Sequence, residues 1–263
     1  MTDERESRQV VTVVTGASQG IGREIAQAFG RRGDAVVLAA RNASNLGETA
    51  SLVADAGGEP LVVETDVTSL ASVEAMVACA VERFGRVDNL VANSGIGGPS
   101  GVLWEVDPDA WDETFDVNVK GVFHSARAIV PPMIDRGGGS IVVIGSISGK
   151  RPLYGRSPYT STKAALIGLT RTLALETGAH DIRVNLISPG FVEGPRIDWV
   201  IRAQAEARGV SEQDVRAEFE AHSPLGRLTS PLDVANAAVF LTSEQARGIT
   251  GIDFNVNAGA VMY

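Results

Sequence analysis

Short apolar runs alternate along this chain with longer amphipathic stretches. The runs at 10–15, 35–40, 60–65, 87–92, 140–146, 182–188 and 251–256 are nearly continuous in Val, Ile and Leu. Such runs suit strands buried on both faces of a parallel sheet, where no side alternates toward water. Helical patterns fill the gaps at 21–32, 45–56, 70–84, 108–136, 158–177 and 231–242. Strict alternation of the two predicts a doubly wound α/β fold, with a parallel sheet of about seven strands, helices on both faces and right-handed crossovers.

The segment 190–228 breaks the alternation: it holds no convincing strand, is rich in charge, and has helical stretches at 197–208 and 212–222. A long excursion between a strand and a helix commonly serves as a lid or binding loop. A chain of 263 residues suits one large α/β domain or two small ones. No repeat or linker separates two halves, so the reading is one domain, 1–263, with a helical lid inserted at about 190–228.

Composition narrows the partners. A net charge of −9 argues against nucleic acid, which needs a basic face. One cysteine and three histidines offer neither an internal disulfide nor a metal-spaced cluster. Cys79 lies in the apolar helical stretch 73–81 and reads as core filler. The first eight residues are polar, unlike a signal peptide, and no apolar run reaches the ~18 residues of a membrane span. A soluble cytoplasmic protein is expected.

Two constellations carry chemistry. Thr15-Gly16-Ala17-Ser18-Gln19-Gly20-Ile21-Gly22 follows the first strand and opens the first helix, the setting a dinucleotide fingerprint requires. Gly16 permits a tight turn, Gly20 lets backbone approach a pyrophosphate, and Gly22 lets helix and strand pack closely. Free helix N–H groups then hold the phosphates. Gly-x-x-x-Gly-x-Gly is one residue wider than the common form. Gly16, Ser18, Gln19, Gly20 and Ile21 are the candidate contacts. At the second strand's end, Ala40 stands where a ribose-binding carboxylate would favour NAD, and Arg41 follows. A guanidinium there suits a 2′-phosphate, so NADP is expected, with NAD the alternative; Gln19, in place of a second basic residue, weakens that preference.

Tyr159 and Lys163 form the second constellation. Four apart on a helix, they share a face. An ammonium beside a phenol lowers its pKa from about 10 toward neutrality. Tyrosine then becomes a usable acid/base for an alcohol–carbonyl pair.

With Asp66-Val67, Ala92-Asn93-Ser94-Gly95, Asn118, Ser146 and Pro189-Gly190 in the same order, the chain resembles a short-chain dehydrogenase/reductase of the compact branch, over about residues 10–260. The resemblance implies Tyr159 as general acid for carbonyl reduction and general base for alcohol oxidation, with Ser146 bonding the substrate oxygen. Lys163 would bind the nicotinamide ribose and depress the tyrosine pKa, and Asn118 would hold a water relaying protons through Lys163. Asp66 and Val67 would flank the adenine, Asn93 would stabilise the sheet and Gly95 would line the cleft. Pro189, Gly190 and Val192 would sit near the nicotinamide. Ser94 departs from the family's usual alanine in Asn-Asn-Ala-Gly, and Ala92 from its first asparagine.

Substrate identity lies in 96–103, 147–157 and 191–225, where Arg151, Tyr154, Arg156, Arg196 and Trp199 are the groups expected to touch a substrate. The arginines suit a carboxylate or phosphate, or are solvated lid charges. Phe191, Ile197, Trp199 and Val200 suit an apolar or cyclic ketone. The expected activity is interconversion of a small secondary alcohol and ketone. A 3-oxoacyl-thioester reductase is the alternative within the class, and an inactive cofactor-binding sensor or scaffold the alternative outside it. A sugar-nucleotide epimerase would need a larger C-terminal domain. The family's habit of association through long central helices implies a homotetramer.

Overall fold

β1 (Val11–Thr15) has no solvent-facing position. Its β-branched residues fill both sides of the sheet, as a strand covered by helices on each face requires. In a computed structural model, which describes residues 9–263, the same logic holds for the other inner strands, while the two edge strands stay partly exposed. The order is β1, α1 (Gly20–Arg31), β2 (Ala35–Ala40), α2 (Ala43–Asp55), β3 (Glu59–Glu64), α3 (Leu70–Phe84) and β4 (Asn89–Ala92). There follow α4 (Pro108–Phe115), α5 (Gly121–Arg136), β5 (Gly139–Ile144), α6 (Ser157–Thr177) and β6 (Ile182–Pro189). The chain closes with α7 (Pro195–Arg208), α8 (Glu212–Ala221), α9 (Pro231–Leu241) and β7 (Asp253–Val256). The polar segment 1–8 lies outside the described residues.

The seven strands form one parallel sheet in the order β3-β2-β1-β4-β5-β6-β7. The direction of winding reverses between β1 and β4, which opens a crevice beyond their carboxyl ends. One core layer joins Val11, Val13, Leu90 and Ile141 to Met76, Ile129 and Leu166 from α3, α5 and α6. The opposite layer joins Val14, Leu38, Val142 and Ile187 to Ile25, Phe29 and Leu241 from α1 and α9.

The lid helices α7 and α8 bury a small cluster of their own: Ile197, Ile201, Ala205, Val215 and Leu228. Val192 bridges Thr229 at the base of the excursion. Glu193 N donates to Thr229 O at 2.9 Å, and Thr229 N donates to Phe191 O at 2.9 Å. That short ladder ties the lid's first residues to its last.

Two expectations are corrected. The pattern at 108–136 is helical throughout but not regular, because a π-turn at Asp116–Lys120 lies between α4 and α5. Cys79 is exposed rather than core filler. α3 buries Val73, Met76, Val77 and Ala80, and Cys79 falls on the opposite side of that stripe. Among the described residues, no helix is long and apolar enough to cross a membrane.

Candidate active site

The glycine turn is built by contact as well as by sequence. Gly16 N donates to Ala39 O at 2.7 Å, binding the turn to the end of β2. Gly16 and Gly20 adopt φ of 66° and 55°, the left-handed region that glycine enters without steric cost. A Cβ at Gly22 would overlap the Gly16 carbonyl, so α1 can start this close to β1 only with glycine there. Gln19 is the N-cap of α1 and supplies no side-chain cap, and the first turn carries no acidic residue. By contrast, α2, α3, α4, α8 and α9 begin on side-chain caps from Asn42, Ser69, Asp107, Ser211 and Ser230. The N–H groups at the start of α1 are thus left for an anion, as a bound pyrophosphate needs.

Arg23 belongs to this turn, and the glycine spacing gave no signal of it. Its guanidinium donates to Ser18 O at 2.8 Å, to Thr49 Oγ1 at 3.1 Å and to Glu48 Oε2 at 2.8 Å. The contact fixes the Ser18 carbonyl and ties the turn to α2. Arg41 stands exposed just past β2. Asp66 Oδ1 accepts from Thr68 N at 2.9 Å and Thr68 Oγ1 at 2.8 Å. The Thr68 backbone N–H holds its carboxyl below the usual range; burial opposes this, and the Thr68 hydroxyl and Arg41 add to the lowering. Val67 is buried against the start of α5, where a Cβ at Gly121 would press on it.

Asn93 closes the crevice from β4. Its amide donates to Thr15 O at 3.0 Å and Gly16 O at 3.2 Å, while its backbone N–H donates to Thr15 Oγ1. It therefore holds β4 and the glycine turn together. Gly95 follows, and a Cβ there would lie 3.2 Å from Asn118 Oδ1 and 3.7 Å from Lys163 Nζ.

Ser146, Tyr159, Lys163 and Asn118 come together beyond β5. Ser146 lies past the strand as the cap of a 3-10 turn, accepting from Ser148 N at 3.1 Å. Tyr159 and Lys163 lie one turn apart near the start of α6, with Lys163 Nζ 5.7 Å from the Tyr159 ring centre. Buried Lys163 donates to Ile144 O at 2.9 Å. Burial raises the Tyr159 phenol's pKa, yet Lys163, Arg196, the Ser146 hydroxyl and Arg156 together pull it below the ordinary tyrosine value. Burial also lowers the Lys163 ammonium; Tyr159 opposes that and Arg196 adds to it. The outcome is a phenol that yields its proton more readily beside a lysine that holds its own less tightly.

Asn118 lies in the π-turn between α4 and α5. Its Oδ1 accepts from Ile96 N at 2.8 Å, and its Nδ2 donates to Ile96 O at 2.9 Å and Thr162 Oγ1 at 3.1 Å. The amide fastens the loop after β4 to α6. Pro189 ends β6, and Gly190 N donates to Val256 O at 3.1 Å. A Cβ at Gly190 would press on Asn257, so the backbone beyond β6 is glycine by packing.

The candidate substrate arginines separate into two groups. Arg156 and Arg196 stand over the Tyr159 ring, at 5.6 and 5.4 Å from guanidinium carbon to ring centre. Tyr154 and Trp199 are strongly exposed. Among the described residues, no hydrogen bond or ring contact joins either of them, or Arg151, to Tyr159.

A family model described as enoyl-(acyl carrier protein) reductase matches residues 16–261. A human protein named dehydrogenase/reductase SDR family member 4 is 36% identical over 254 residues, covering 95% of this chain and 86% of its own. An actinorhodin polyketide ketoreductase solved with NADPH superposes with a TM-score of 0.92 at 35% identity, covering 97% of this chain and 98% of that one. A 3-ketoacyl-(acyl-carrier-protein) reductase from Brucella melitensis, complexed with NADH, gives 0.86 at 32% identity, covering 97% and 99%.

Proposed function

The chain belongs to the short-chain dehydrogenase/reductase family, and we propose that Ser146, Tyr159 and Lys163 are its catalytic groups for interconverting a small secondary alcohol and a ketone. It is an NAD(P)-dependent oxidoreductase. The observation that carries the assignment is the Lys163–Tyr159 pair, which leaves the phenol with a lowered pKa beside the Ser146 hydroxyl.

The residues present fit the dinucleotide: uncapped N–H groups at α1, a glycine-lined approach, and Gly95 where a side chain would crowd Asn118 and Lys163. When bound, the nicotinamide supplies or accepts the hydride. Tyr159 donates its proton to the carbonyl oxygen during reduction, and takes the hydroxyl proton during oxidation. Ser146 Oγ holds the same oxygen and orients it toward the phenol. Lys163 stabilises the phenolate left after reduction, and its bond to Ile144 O keeps the ammonium in place. Asn118 acts as a positioning residue by fastening the loop after β4 to Thr162 on α6.

NADP is the preferred cofactor in this reading, with Arg41 taking the 2′-phosphate and NAD the alternative. Gly16, Ser18, Gln19, Gly20 and Ile21 would hold the pyrophosphate. Asp66 and Val67 would border the adenine, Asn93 would brace the sheet against the glycine turn, Gly95 would line the cleft, and Pro189, Gly190 and Val192 would lie near the nicotinamide. The whole chain acts as one domain with a lid at about 190–228, on a small molecule, in the cytoplasm, without nucleic acid or membrane as partner.

A 3-oxoacyl-thioester reductase is the second reading, favoured by the two solved ketoreductases. The net charge of −9 counts against docking an acidic carrier protein. Steady-state turnover over a panel of ketones, alcohols and an acetoacetyl thioester, with both cofactors and with Tyr159→Phe as control, separates these readings. No turnover with any of them would leave only a cofactor-binding sensor.

A further inference from the structure

Positive charge is concentrated around Tyr159 in a chain that is acidic overall. Lys163, Arg156 and Arg196 all lie within 5.7 Å of its ring centre. The charged groups acting on Arg156 are Arg196 and Tyr159, and those acting on Lys163 are Tyr159 and Arg196; no carboxylate is among them. The other arginines of the lid find acids: Arg202 pairs with Glu212, Arg208 with Glu218, Arg216 with Asp198 and Arg227 with Asp233. Among the described residues, Arg196 has the Tyr159 ring for a neighbour and no hydrogen bond or ion pair.

The two guanidiniums also converge. A Cβ built on Gly97 would lie 2.5 Å from Arg196 Nη2 and 2.9 Å from Arg156 Nη2. Both guanidiniums therefore pack against Gly97, side by side, where only the absence of a side chain leaves room for them. Arg156 is held in that position: Nη2 donates to Gly97 O at 2.5 Å and Nη1 to Ser100 Oγ at 3.1 Å, while its Nε is buried without a partner. Two like charges brought together repel, and a buried donor left unpaired costs free energy. Placement on the helices compounds this. Arg156 is the N-cap of α6 and Arg196 lies in the first turn of α7, the ends where a cation is disfavoured, and neither start has a side-chain cap. An anion between the guanidiniums relieves both the repulsion and the unfavourable placement at the helix starts.

We propose that Arg156 and Arg196 form a clamp for a substrate carboxylate, so that the natural substrate is a keto or hydroxy acid whose carboxylate lies a few bonds from the reacting carbon. The proposal rests on Tyr159 marking the reaction centre. The planar fork of arginine matches a carboxylate in a bidentate way, and two forks fix both its position and its plane. Gly97 acts as a positioning residue, since any side chain there would displace the two guanidiniums. The lid contributes Arg196 and the body contributes Arg156, so binding the acid links the two.

The test compares each acid with its own methyl ester, so that charge is the variable. 4-Oxopentanoate, 5-oxohexanoate and 6-oxoheptanoate, each with its ester, are reduced by the holoenzyme with NADPH and with NADH. The expected result is an acid-to-ester ratio of kcat/KM of at least about tenfold for one chain length, as hydrogen bonds to a charged group provide. R196Q should lower that ratio about tenfold, with R196K retaining more of it. Any effect of R196Q on the Tyr159 proton acts on acid and ester alike and cancels in the ratio. If no acid is reduced faster than its ester, or if R196Q lowers both equally, the clamp is overturned. Ester reduction that is lost in Tyr159→Phe would still uphold the oxidoreductase assignment in that event.

Discussion

Lys163 donates a 2.9 Å hydrogen bond to the carbonyl of Ile144, the last residue of β5. A lysine nine-tenths buried on a helix is thereby anchored to the sheet edge that also delivers Ser146. Its charge is held in one place, where it acts on Tyr159 instead of reaching for solvent.

Tyr159→Phe tests the consequence most directly. Phenylalanine keeps the ring that Lys163, Arg156 and Arg196 surround and removes only the proton donor. The expected loss in kcat is about 10²–10⁴-fold, with cofactor affinity little changed by fluorescence titration. A variant that keeps more than roughly a tenth of kcat would exclude the acid/base role. Lys163→Ala, by contrast, should lose both turnover and cofactor affinity.

The pH profile carries a sign. Alcohol oxidation needs the phenolate, so its rate climbs with pH and levels off above the phenol's pKa. Burial raises that pKa, but Lys163, Arg196, Ser146 and Arg156 together lower it further. The midpoint is expected below the free tyrosine value of about 10. Arg196→Gln removes one cation that favours the phenolate, so the midpoint should move up. A midpoint that stays fixed or falls would show that Arg196 does not act on the phenol.

The alternation of apolar runs was enough to read the sheet, because a strand buried on both faces has no choice of composition. The glycine turn was legible for a similar reason: Gly16 and Gly22 are demanded by backbone geometry, which only one residue type satisfies. Other features depend on contacts between residues far apart in sequence. Arg23 is tied to Thr49 on a different helix, and Asn118 to Ile96 and Thr162. The meeting of Arg156 and Arg196 is set by how the lid folds back, which no local pattern records. Cys79 was misread because an apolar stretch on a helix does not say which of its residues lie on the buried stripe.

Gly22→Ala should damage the cofactor crevice rather than the fold. The added methyl would overlap the Gly16 carbonyl and press on Asn93, so α1 must move away from β1. Overpacking of this kind costs about 1–3 kcal/mol, measurable as a lower midpoint in urea unfolding. Dinucleotide affinity should fall by more than that stability loss explains. Unchanged affinity in a folded variant would mean that the turn does not hold the pyrophosphate.

Cofactor choice can be read at the end of β2. Ala40 is followed by exposed Arg41, so neither residue that ends the strand is acidic. The wild type is expected to favour NADP in kcat/KM. Ala40→Asp should reverse the preference by repelling the 2′-phosphate, and Arg41→Ala should weaken NADP more than NAD. Equal use of both cofactors, unaltered in Arg41→Ala, would remove Arg41 from the site.

Association is the last expectation, and the outer face of α6 supports it. Leu166 and Ala174 point into the core, whereas Ala164, Ala165 and Gly168 are exposed and Leu175 is 84% exposed. Small residues over the first turns and a leucine beyond them, with exposed Arg171 and Thr172 between, leave apolar surface on the side of α6 away from the core. Phe123 on α5 adds to the exposed apolar surface, at 47%. A helix apolar on two sides needs a second surface to cover it. The chain's end adds Met262 and Tyr263, both about three-quarters exposed. We expect a homotetramer, with α5 and α6 forming one interface and the C-terminal residues another. Light scattering at micromolar concentration tests this. Leu175→Glu should split the α6 interface to give dimers, because a carboxylate buried there would lack a partner. A monomeric wild type would overturn the expectation, and a wild-type dimer abolished by Leu175→Glu would keep the helix interface and remove the one at the C-terminus.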